Sequence, residues 1–118
     1  MTSISQELNE RRKKSVPQGP FNTTSAFIKK AQGASMTDVD GKTYIDFAGG
    51  IGVNNVGHCH PKVVQAIKDQ ADLYIHTCFH VAMYEPYVAL AERLNALAPG
   101  AFEKMTLFAN SGAEAVEN

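Results

Sequence analysis

A stretch dense in glycine constrains this chain more than any other feature of its sequence. Residues 48–60 hold four of the nine glycines, and an ordinary right-handed helix does not tolerate glycine at that density. Glycine also lets the backbone pass close to a ligand, to a second chain or to another part of the same chain. The stretch therefore predicts a tight loop, and the pattern alone favours a ligand-binding loop and a purely structural loop about equally.

Short β-strands are predicted just before the glycine stretch. Over residues 26–47 apolar residues begin to alternate with polar ones, which is typical of strands. The dipeptide Asp40-Gly41 separates residues 35–39 from residues 42–47, and it favours a two-residue type I′ turn with positive φ at both positions. The sequence therefore predicts a small antiparallel β unit.

Helices are predicted before and after this β unit. Ser3 and Gln6 have the spacing of a capping box, and Pro61 and Pro86 suit the first position of a helix. The proline-rich and glycine-rich residues 16–20 end the first helix. The elements that follow from these signals are helices over 3–14, from Pro61, from Pro86 to a stop at Pro99-Gly100 and from Ala113 onward, with a buried strand over 105–109.

Composition excludes several classes of protein. The 118 residues include 11 Lys and Arg against 12 Asp and Glu, for a net charge of −1, so neither nucleic acid nor a membrane surface is an expected partner. The apolar runs are far shorter than the roughly 18 to 20 residues that span a bilayer. The first residues lack a secretion signal, and two cysteines, Cys59 and Cys78, do not make a disulfide framework. These features predict a cytoplasmic protein.

A strand-turn-helix pattern near residue 111 is the most specific local signal for a ligand site. Ser111 and Gly112 separate the predicted strand from the predicted helix, whose first backbone N–H groups have no partner within the helix. Those N–H groups lie at the positive end of the helix dipole and suit a phosphate. Simple N-capping by Ser111 explains the same residues without a ligand, and the spacing of a P-loop is missing.

Histidine and cysteine residues offer a rival site. His58, Cys59 and His60 are followed by His76, Cys78 and His80, and imidazole and thiolate ligands suit zinc. Only His76 and His80 have a spacing typical of zinc sites, so we expect no metal. The lysines lie in polar or turn contexts, which do not activate lysine for covalent catalysis.

Several segments taken together are more specific than any single motif. They are Asp38–Ile51, Gly57–Pro61, His76–Phe79, Tyr84–Tyr87 and Asn110–Asn118. In this order they resemble the class III pyridoxal-phosphate-dependent aminotransferases, and among these the 4-aminobutyrate aminotransferases most of all. The resemblance runs from about Pro17 to the last residue, so only the first sixteen residues do not contribute to it.

The resemblance implies the fold and the reaction. It implies an α/β fold, the N-terminal part of a fold-type-I transferase, with a small antiparallel β unit followed by helices and the first strand of the large-domain sheet. Residues 1–16 would form an N-terminal helix or arm, 17–60 the N-terminal part of the small domain, and 61–118 the start of the large domain that binds pyridoxal phosphate (PLP). The implied reaction moves an ω-amino group from a 4-aminobutyrate-like donor to 2-oxoglutarate, in a homodimer or a dimer of dimers.

The resemblance also implies site residues. Ser111, Gly112 and Ala113 match the segment that binds the phosphate of PLP, Ile51 matches an apolar wall of the substrate channel, and His80 matches a position where some relatives have a glutamine near the substrate. In the family the lysine that carries PLP follows the Ser-Gly-Ala segment. We therefore expect an N-terminal piece that ends inside a helix, lacks the catalytic lysine and is inactive alone.

Other functions stay open at this point. Acetylornithine, ornithine and diaminobutyrate aminotransferases share the family and differ in the donor. A free-standing binding or dimerisation module would unfold cooperatively as residues 1–118 alone, and a small zinc-binding domain would lose its fold on chelation.

Overall fold

The computed structural model describes residues 2–19 and 21–118, so Met1 of the predicted arm and Pro20 of the predicted helix end lie outside the described residues. The chain divides into two compact units, Met1–Leu73 and Tyr74–Asn118. The predicted domain boundaries after residues 16 and 60 concern the whole protein and stay a prediction. The elements in chain order are α1 (Ile4–Ser15), β1 (Ile28–Gln32), β2 (Ser35–Asp38), β3 (Thr43–Ile45), α2 (Gly49–Gly52), α3 (Pro61–Leu73), α4 (Glu85–Leu97) and α5 (Gly112–Glu117).

Helix α1 begins with the predicted capping box. The Gln6 N–H donates to the Ser3 hydroxyl oxygen at 3.2 Å, and the Ser3 N–H donates to the Gln6 side-chain oxygen at 2.9 Å. The Asp40 carboxylate also accepts the Ile4 N–H at 2.8 Å and the Ser5 N–H at 3.1 Å. The Ser5 side chain, more than these backbone groups, lowers the pKa of Asp40, so a charged carboxylate stands at the positive end of α1.

The three strands form one antiparallel sheet in the order β1-β2-β3, which confirms the predicted β unit. Met36 of the central strand pairs with Ala31 on one side and with Tyr44 on the other. A further antiparallel bridge joins Gly33, just after β1, to His58. The sheet therefore holds the end of the glycine-rich stretch in place through the backbone of His58.

The turn between β2 and β3 corrects the predicted two-residue type I′ turn. Gly41 has a φ of +87°, but Asp40 is not in the positive-φ region. The Gly41 N–H donates to the Asp38 carbonyl at 3.1 Å, and the Asp38 N–H donates to the Lys42 carbonyl at 2.9 Å. These bonds enclose a three-residue loop, the arrangement of a type I turn followed by a left-handed glycine.

The Asp38 side chain explains the longer loop. Asp38 is 4% exposed and is the one buried residue among those described. One carboxylate oxygen accepts the N–H groups of Asp40 at 3.0 Å and Lys42 at 2.8 Å, and the other accepts the Tyr44 hydroxyl at 2.8 Å. The Tyr44 hydroxyl, and then these N–H groups, hold the pKa of Asp38 below its ordinary value. Because a buried carboxylate is stable only when it is hydrogen-bonded, Asp38 favours a loop that offers it two N–H groups.

The predicted strand over 105–109 is not among the strands of the described residues. Met105 is 99% exposed and Leu107 is 70% exposed, so the predicted burial of this segment is also wrong. A strand exists through hydrogen bonds to a neighbouring strand. No neighbour for this segment is found in residues 2–19 and 21–118, and the apolar pattern of five residues cannot form a strand without one.

Helix α3 begins at Pro61, as its proline predicts, and α4 begins at Glu85, one residue before Pro86, and ends at Leu97, just before the predicted stop at Pro99-Gly100. Their apolar stripes are nevertheless open, with Ile67 63% and Leu90 50% exposed. No hydrophobic residue in the described part of the chain is buried, so hydrogen bonds and turns determine the local geometry of each unit. None of the described helices is both long enough and apolar enough to cross a membrane.

Gly57 and Gly41 provide a matched test of the close backbone contact beside Gly33. Their φ angles are +83° and +87°, but a Cβ on Gly57 would lie 3.1 Å from the Gly33 Cα, whereas one on Gly41 would meet nothing within 4 Å. We expect Gly41→Ala to lower the free energy of unfolding by about 1–2 kcal/mol through backbone strain. Gly57→Ala should lower it by a further ~1–3 kcal/mol because the Gly33 backbone must also move. Urea unfolding of the whole protein that carries this chain measures both values. Equal losses in the two variants would contradict the close contact between Gly57 and the Gly33 backbone.

Candidate functional site

The glycine-rich stretch contains a left-handed turn, which is helix α2. The φ angles of Gly49, Gly50, Ile51 and Gly52 are +54°, +63°, +60° and +78°. The turn is closed by backbone hydrogen bonds, among them Ile51 N–H to the Ala48 carbonyl at 2.8 Å. Glycine takes this conformation readily, so three of the four positions are free of strain. The stretch is therefore a defined turn, and it is not an ordinary helix, as predicted.

Ile51 is the exception in this turn. An L-residue in the left-handed region is strained by roughly 1–2 kcal/mol, and a β-branched residue is a genuine outlier there. Its side chain is 95% exposed, so packing among the described residues does not compensate for the strain. Strained backbone conformations of this kind cluster at functional sites.

The carboxylate of Asp46 holds the start of the turn. One oxygen accepts the Ala48 and Gly49 N–H groups, both at 2.9 Å, and the other lies 2.7 Å from His58 Nε2. The side chain is only 6% exposed. The His58 ring, followed by the Gly49 N–H, holds the pKa of Asp46 below its ordinary value, so Asp46 remains an acceptor at neutral pH.

His58 is itself held on two sides. Its backbone N–H donates to the Gly33 carbonyl at 2.8 Å, and its carbonyl accepts the Gly33 N–H at 2.9 Å. The Asn54 side-chain amide approaches His58 Nδ1 at 3.5 Å, a long contact. Because a carboxylate only accepts hydrogen bonds, Nε2 is the donor in the contact between His58 and Asp46.

His80 lies in the second unit, at the edge of an open apolar cavity of about 610 Å³. The ring of Phe79 stacks on Tyr87 with a centroid distance of 4.1 Å, and Tyr87 meets Phe108 edge-on at 4.6 Å. These contacts fix the segment before His80 against the segment before Ser111. The imidazole is exposed beside this cavity, where it can meet a ligand.

Ser111 is the N-cap of helix α5. Its hydroxyl oxygen accepts the Glu114 N–H at 3.2 Å, and the Glu114 carboxylate accepts the Asn110 N–H at 2.8 Å. Ser111 therefore does cap the helix, as the interpretation without a ligand predicts. This capping leaves the hydroxyl proton of Ser111 available for donation to another group.

The residues at the start of α5 fit a phosphate. Within the described part of the chain, no acceptor contacts the N–H groups of Gly112 and Ala113, as expected for the first turn of a helix. A Cβ on Gly112 would meet nothing within 4 Å, so there is room for a bulky group beside this backbone. Two N–H donors and one hydroxyl donor are the chemistry that a phosphate dianion requires.

The histidines and cysteines do not form a metal cluster in the described residues. No group of three His, Cys, Asp or Glu side chains is placed to hold a metal ion in residues 2–19 and 21–118. His58 instead pairs with Asp46. Cys59 and Cys78 are free, each with a positive φ.

The predicted site residues fall in both units. Ile51 belongs to the first unit, and His80 with Ser111, Gly112 and Ala113 belongs to the second. Asp46 and Asn54 were not among the site residues predicted from the sequence. The sequence did contain a signal for Asp46, because an aspartate just before a turn commonly accepts the backbone N–H groups two and three residues further along the chain.

A solved structure with this fold is an aminotransferase. The taurine:2-oxoglutarate aminotransferase of Bifidobacterium kashiwanohense, solved in complex with PLP and glutamate, is similar to this chain with a TM-score of 0.81 and 32% identity. The similarity covers 99% of this chain and 27% of that one. The fold is therefore the N-terminal part of the aminotransferase fold, as the sequence predicts.

The sequence comparisons identify the family. The model of class-III aminotransferases matches residues 17–118. The chain is 48% identical over 118 residues to the 5-aminovalerate aminotransferase of Pseudomonas putida, covering 100% of this chain and 28% of that protein. It is 51% identical over 109 residues to a probable 4-aminobutyrate aminotransferase of Bacillus subtilis, and this match covers 92% of this chain and 25% of that protein. The chain belongs to the class III aminotransferase family and spans about a quarter of the length of these curated relatives.

Ile51 and Val53 provide a matched test of the strain in the turn. Both side chains are exposed, but Ile51 has a φ of +60° and Val53 has an ordinary helical φ of −86°. We expect Ile51→Gly to raise the free energy of unfolding by about 1 kcal/mol, because glycine is not strained there. Val53→Gly should lower it by roughly 0.5–1 kcal/mol. Thermal or urea unfolding of the whole protein that carries this chain compares the two variants. A loss of stability in both would argue against a left-handed backbone conformation at Ile51.

Proposed function

We propose that the whole protein that carries this chain transfers the amino group of an ω-amino acid to 2-oxoglutarate with PLP as cofactor. The family match over residues 17–118 is the observation that carries the proposal. The two relatives act by name on 5-aminovalerate and 4-aminobutyrate, which have an amine at one end and a carboxylate at the other. These linear donors are favoured over acetylornithine, ornithine or diaminobutyrate, which remain alternatives within the family.

The start of α5 binds the cofactor in this proposal. Gly112 and Ala113 donate their N–H groups to the phosphate of PLP, and Ser111 donates its hydroxyl proton. When bound, PLP supplies the carbonyl group that exchanges amino groups and a ring that accepts negative charge during the transfer. These N–H groups and the positive end of the helix dipole would hold the phosphate.

The substrate contacts are divided between an apolar and a polar side chain. Ile51 covers the methylene chain of the donor, because an apolar wall removes that chain from water. His80 provides an imidazole at the substrate pocket, in the position where some relatives have a glutamine. An apolar wall discriminates weakly between donors, since one methylene in an apolar pocket changes selectivity by about 10 to 200-fold.

We also propose a homodimer or a dimer of dimers in the cytoplasm, with residues 1–16 as an arm, 17–60 in the small domain and 61–118 in the large domain. The exposed apolar side chains of α3 and α4 support a further packing partner. The free thiols of Cys59 and Cys78 support a reducing compartment. Light scattering of the whole protein measures its mass, and a monomer would contradict the proposed assembly.

Ser111→Ala and Ser3→Ala separate phosphate binding from helix capping. Each serine is an N-cap that accepts a backbone N–H, so each variant should lose about 1 kcal/mol of local stability. Only Ser111→Ala removes a donor to the phosphate, and we expect it to weaken PLP binding by about tenfold. Titration of the cofactor-free whole protein with PLP measures the dissociation constant. Equal PLP affinity in the two variants would contradict the assigned phosphate site.

The 118-residue chain tested by itself should not transaminate. Its eight lysines are exposed or half-buried, and none lies in a desolvated pocket that would activate it. The resemblance places the lysine that carries PLP after the Ser-Gly-Ala segment. Incubation with PLP, 4-aminobutyrate and 2-oxoglutarate should therefore yield no glutamate. A borohydride-stable PLP adduct on one unique lysine, together with glutamate formation, would overturn this expectation.

A further inference from the structure

The strained turn around Ile51 needs a device that holds it, and the hydrophobic effect does not provide one. The Ile51 side chain is 95% exposed, and no hydrophobic residue is buried in residues 2–19 and 21–118. Without restraint, a turn with an isoleucine in the left-handed region would relax to a conformation with a negative φ. Among the described residues, the restraint that the structure shows comes from polar contacts at the two ends of the turn.

Asp46 restrains the first end. Its carboxylate accepts the Ala48 and Gly49 N–H groups, so it fixes the direction in which the chain enters the left-handed turn. The Asp46 backbone N–H donates to the Ala34 carbonyl at 2.8 Å. The anchor of the turn is thus itself attached to the chain between β1 and β2.

His58 keeps the Asp46 carboxylate in that orientation. The Nε2 to Oδ2 distance is 2.7 Å, and the His58 side chain is 21% exposed, so water competes weakly for this bond. The backbone of His58 is paired in both directions with Gly33. A Cβ on Gly57 would come within 3.1 Å of the Gly33 Cα, so the two backbones are in close contact at this point.

Asn54 restrains the second end. Its side-chain amide lies 3.5 Å from His58 Nδ1 and 3.3 Å from the position that a Cβ on Gly50 would take. Its backbone N–H donates to the Gly49 carbonyl at 2.8 Å. The same imidazole therefore meets a group from each end of the turn, Asp46 at one nitrogen and Asn54 at the other.

We infer that Asp46, His58 and Asn54 are positioning residues that hold Ile51 in its left-handed conformation and so set the length of ω-amino donor that the enzyme prefers. The inference rests on the proposed function, in which Ile51 covers the methylene chain of the donor. The three residues act through Ile51 and do not touch the donor. Loss of the His58 bond frees the Asp46 carboxylate to rotate, and the position of the apolar wall then varies.

The test compares three variants of the whole protein that carries this chain. His58→Ala removes the bond to Asp46, whereas the amide nitrogen of Gln in His58→Gln can still donate to the Asp46 carboxylate. Asn55→Ala is the matched control, because Asn55 is exposed in the same loop and makes no side-chain hydrogen bond recorded in the described residues. Hydrogen exchange of a peptide spanning residues 47–56 reports the turn. Steady-state kinetics with 3-aminopropanoate, 4-aminobutyrate and 5-aminovalerate, each one methylene longer than the last, report the preferred length of donor.

We expect His58→Ala to speed exchange in residues 47–56 by about tenfold, the size typical of losing a hydrogen bond to a charged group. It should raise KM for the preferred donor by roughly tenfold while kcat changes by less than about threefold, and the differences in kcat/KM among the three donors should shrink. His58→Gln should restore most of both properties, and Asn55→Ala should match the wild type.

Unchanged exchange and an unchanged donor profile in His58→Ala would overturn the inference, and so would equal damage in His58→Gln and His58→Ala. If His58→Ala does not fold, Asn54→Ala replaces it, with the same direction of change expected and a wild-type result overturning the inference. Absence of transamination in the wild type would instead refute the proposed function, while the exchange data would still decide whether His58 holds the turn.

Discussion

Hydrogen bonds between aspartate carboxylates and backbone N–H groups are the interactions on which the first unit depends. Asp40 caps α1, Asp38 organises the turn between β2 and β3, and Asp46 fixes the entry to the glycine turn. Bonds to a charged acceptor are stronger than those between neutral groups. Since no hydrophobic residue of the described chain is buried, these carboxylates determine how the helix, the sheet and the glycine turn are arranged within the unit.

The glycine turn of the first unit and the start of α5 in the second unit use the backbone in opposite ways. At α5 the N–H groups of Gly112 and Ala113 have no acceptor within the described residues, so they are available to a ligand anion. At the glycine turn the N–H groups of Ala48, Gly49, Ile51 and Gly52 are satisfied internally, and the exposed feature is the side chain of Ile51. The start of α5 therefore suits a charged ligand group, and the Ile51 side chain suits an apolar one.

The features that local chemistry determines could be predicted from the sequence. The capping box of α1 and the proline starts of α3 and α4 depend on neighbouring residues, and the structure confirms them. The predicted strand at 105–109 is absent from the described residues, and its apolar pattern could not decide this, because a strand depends on a partner elsewhere. The turn at Asp40 depends on the Asp38 side chain, and the pair of Asp46 with His58 spans twelve positions in sequence. Ile51 runs against its own preference, so no propensity rule predicts its φ.

A crystal structure of the whole protein with PLP and a linear ω-amino acid bound would show the phosphate contacts and the position of Ile51 together. We expect Ile51 to keep a positive φ and to contact the methylene chain of the donor, and the N–H groups of Gly112 and Ala113 to lie within hydrogen-bond distance of the phosphate. A phosphate bound elsewhere, or an Ile51 with negative φ pointing away from the donor, would contradict this expectation.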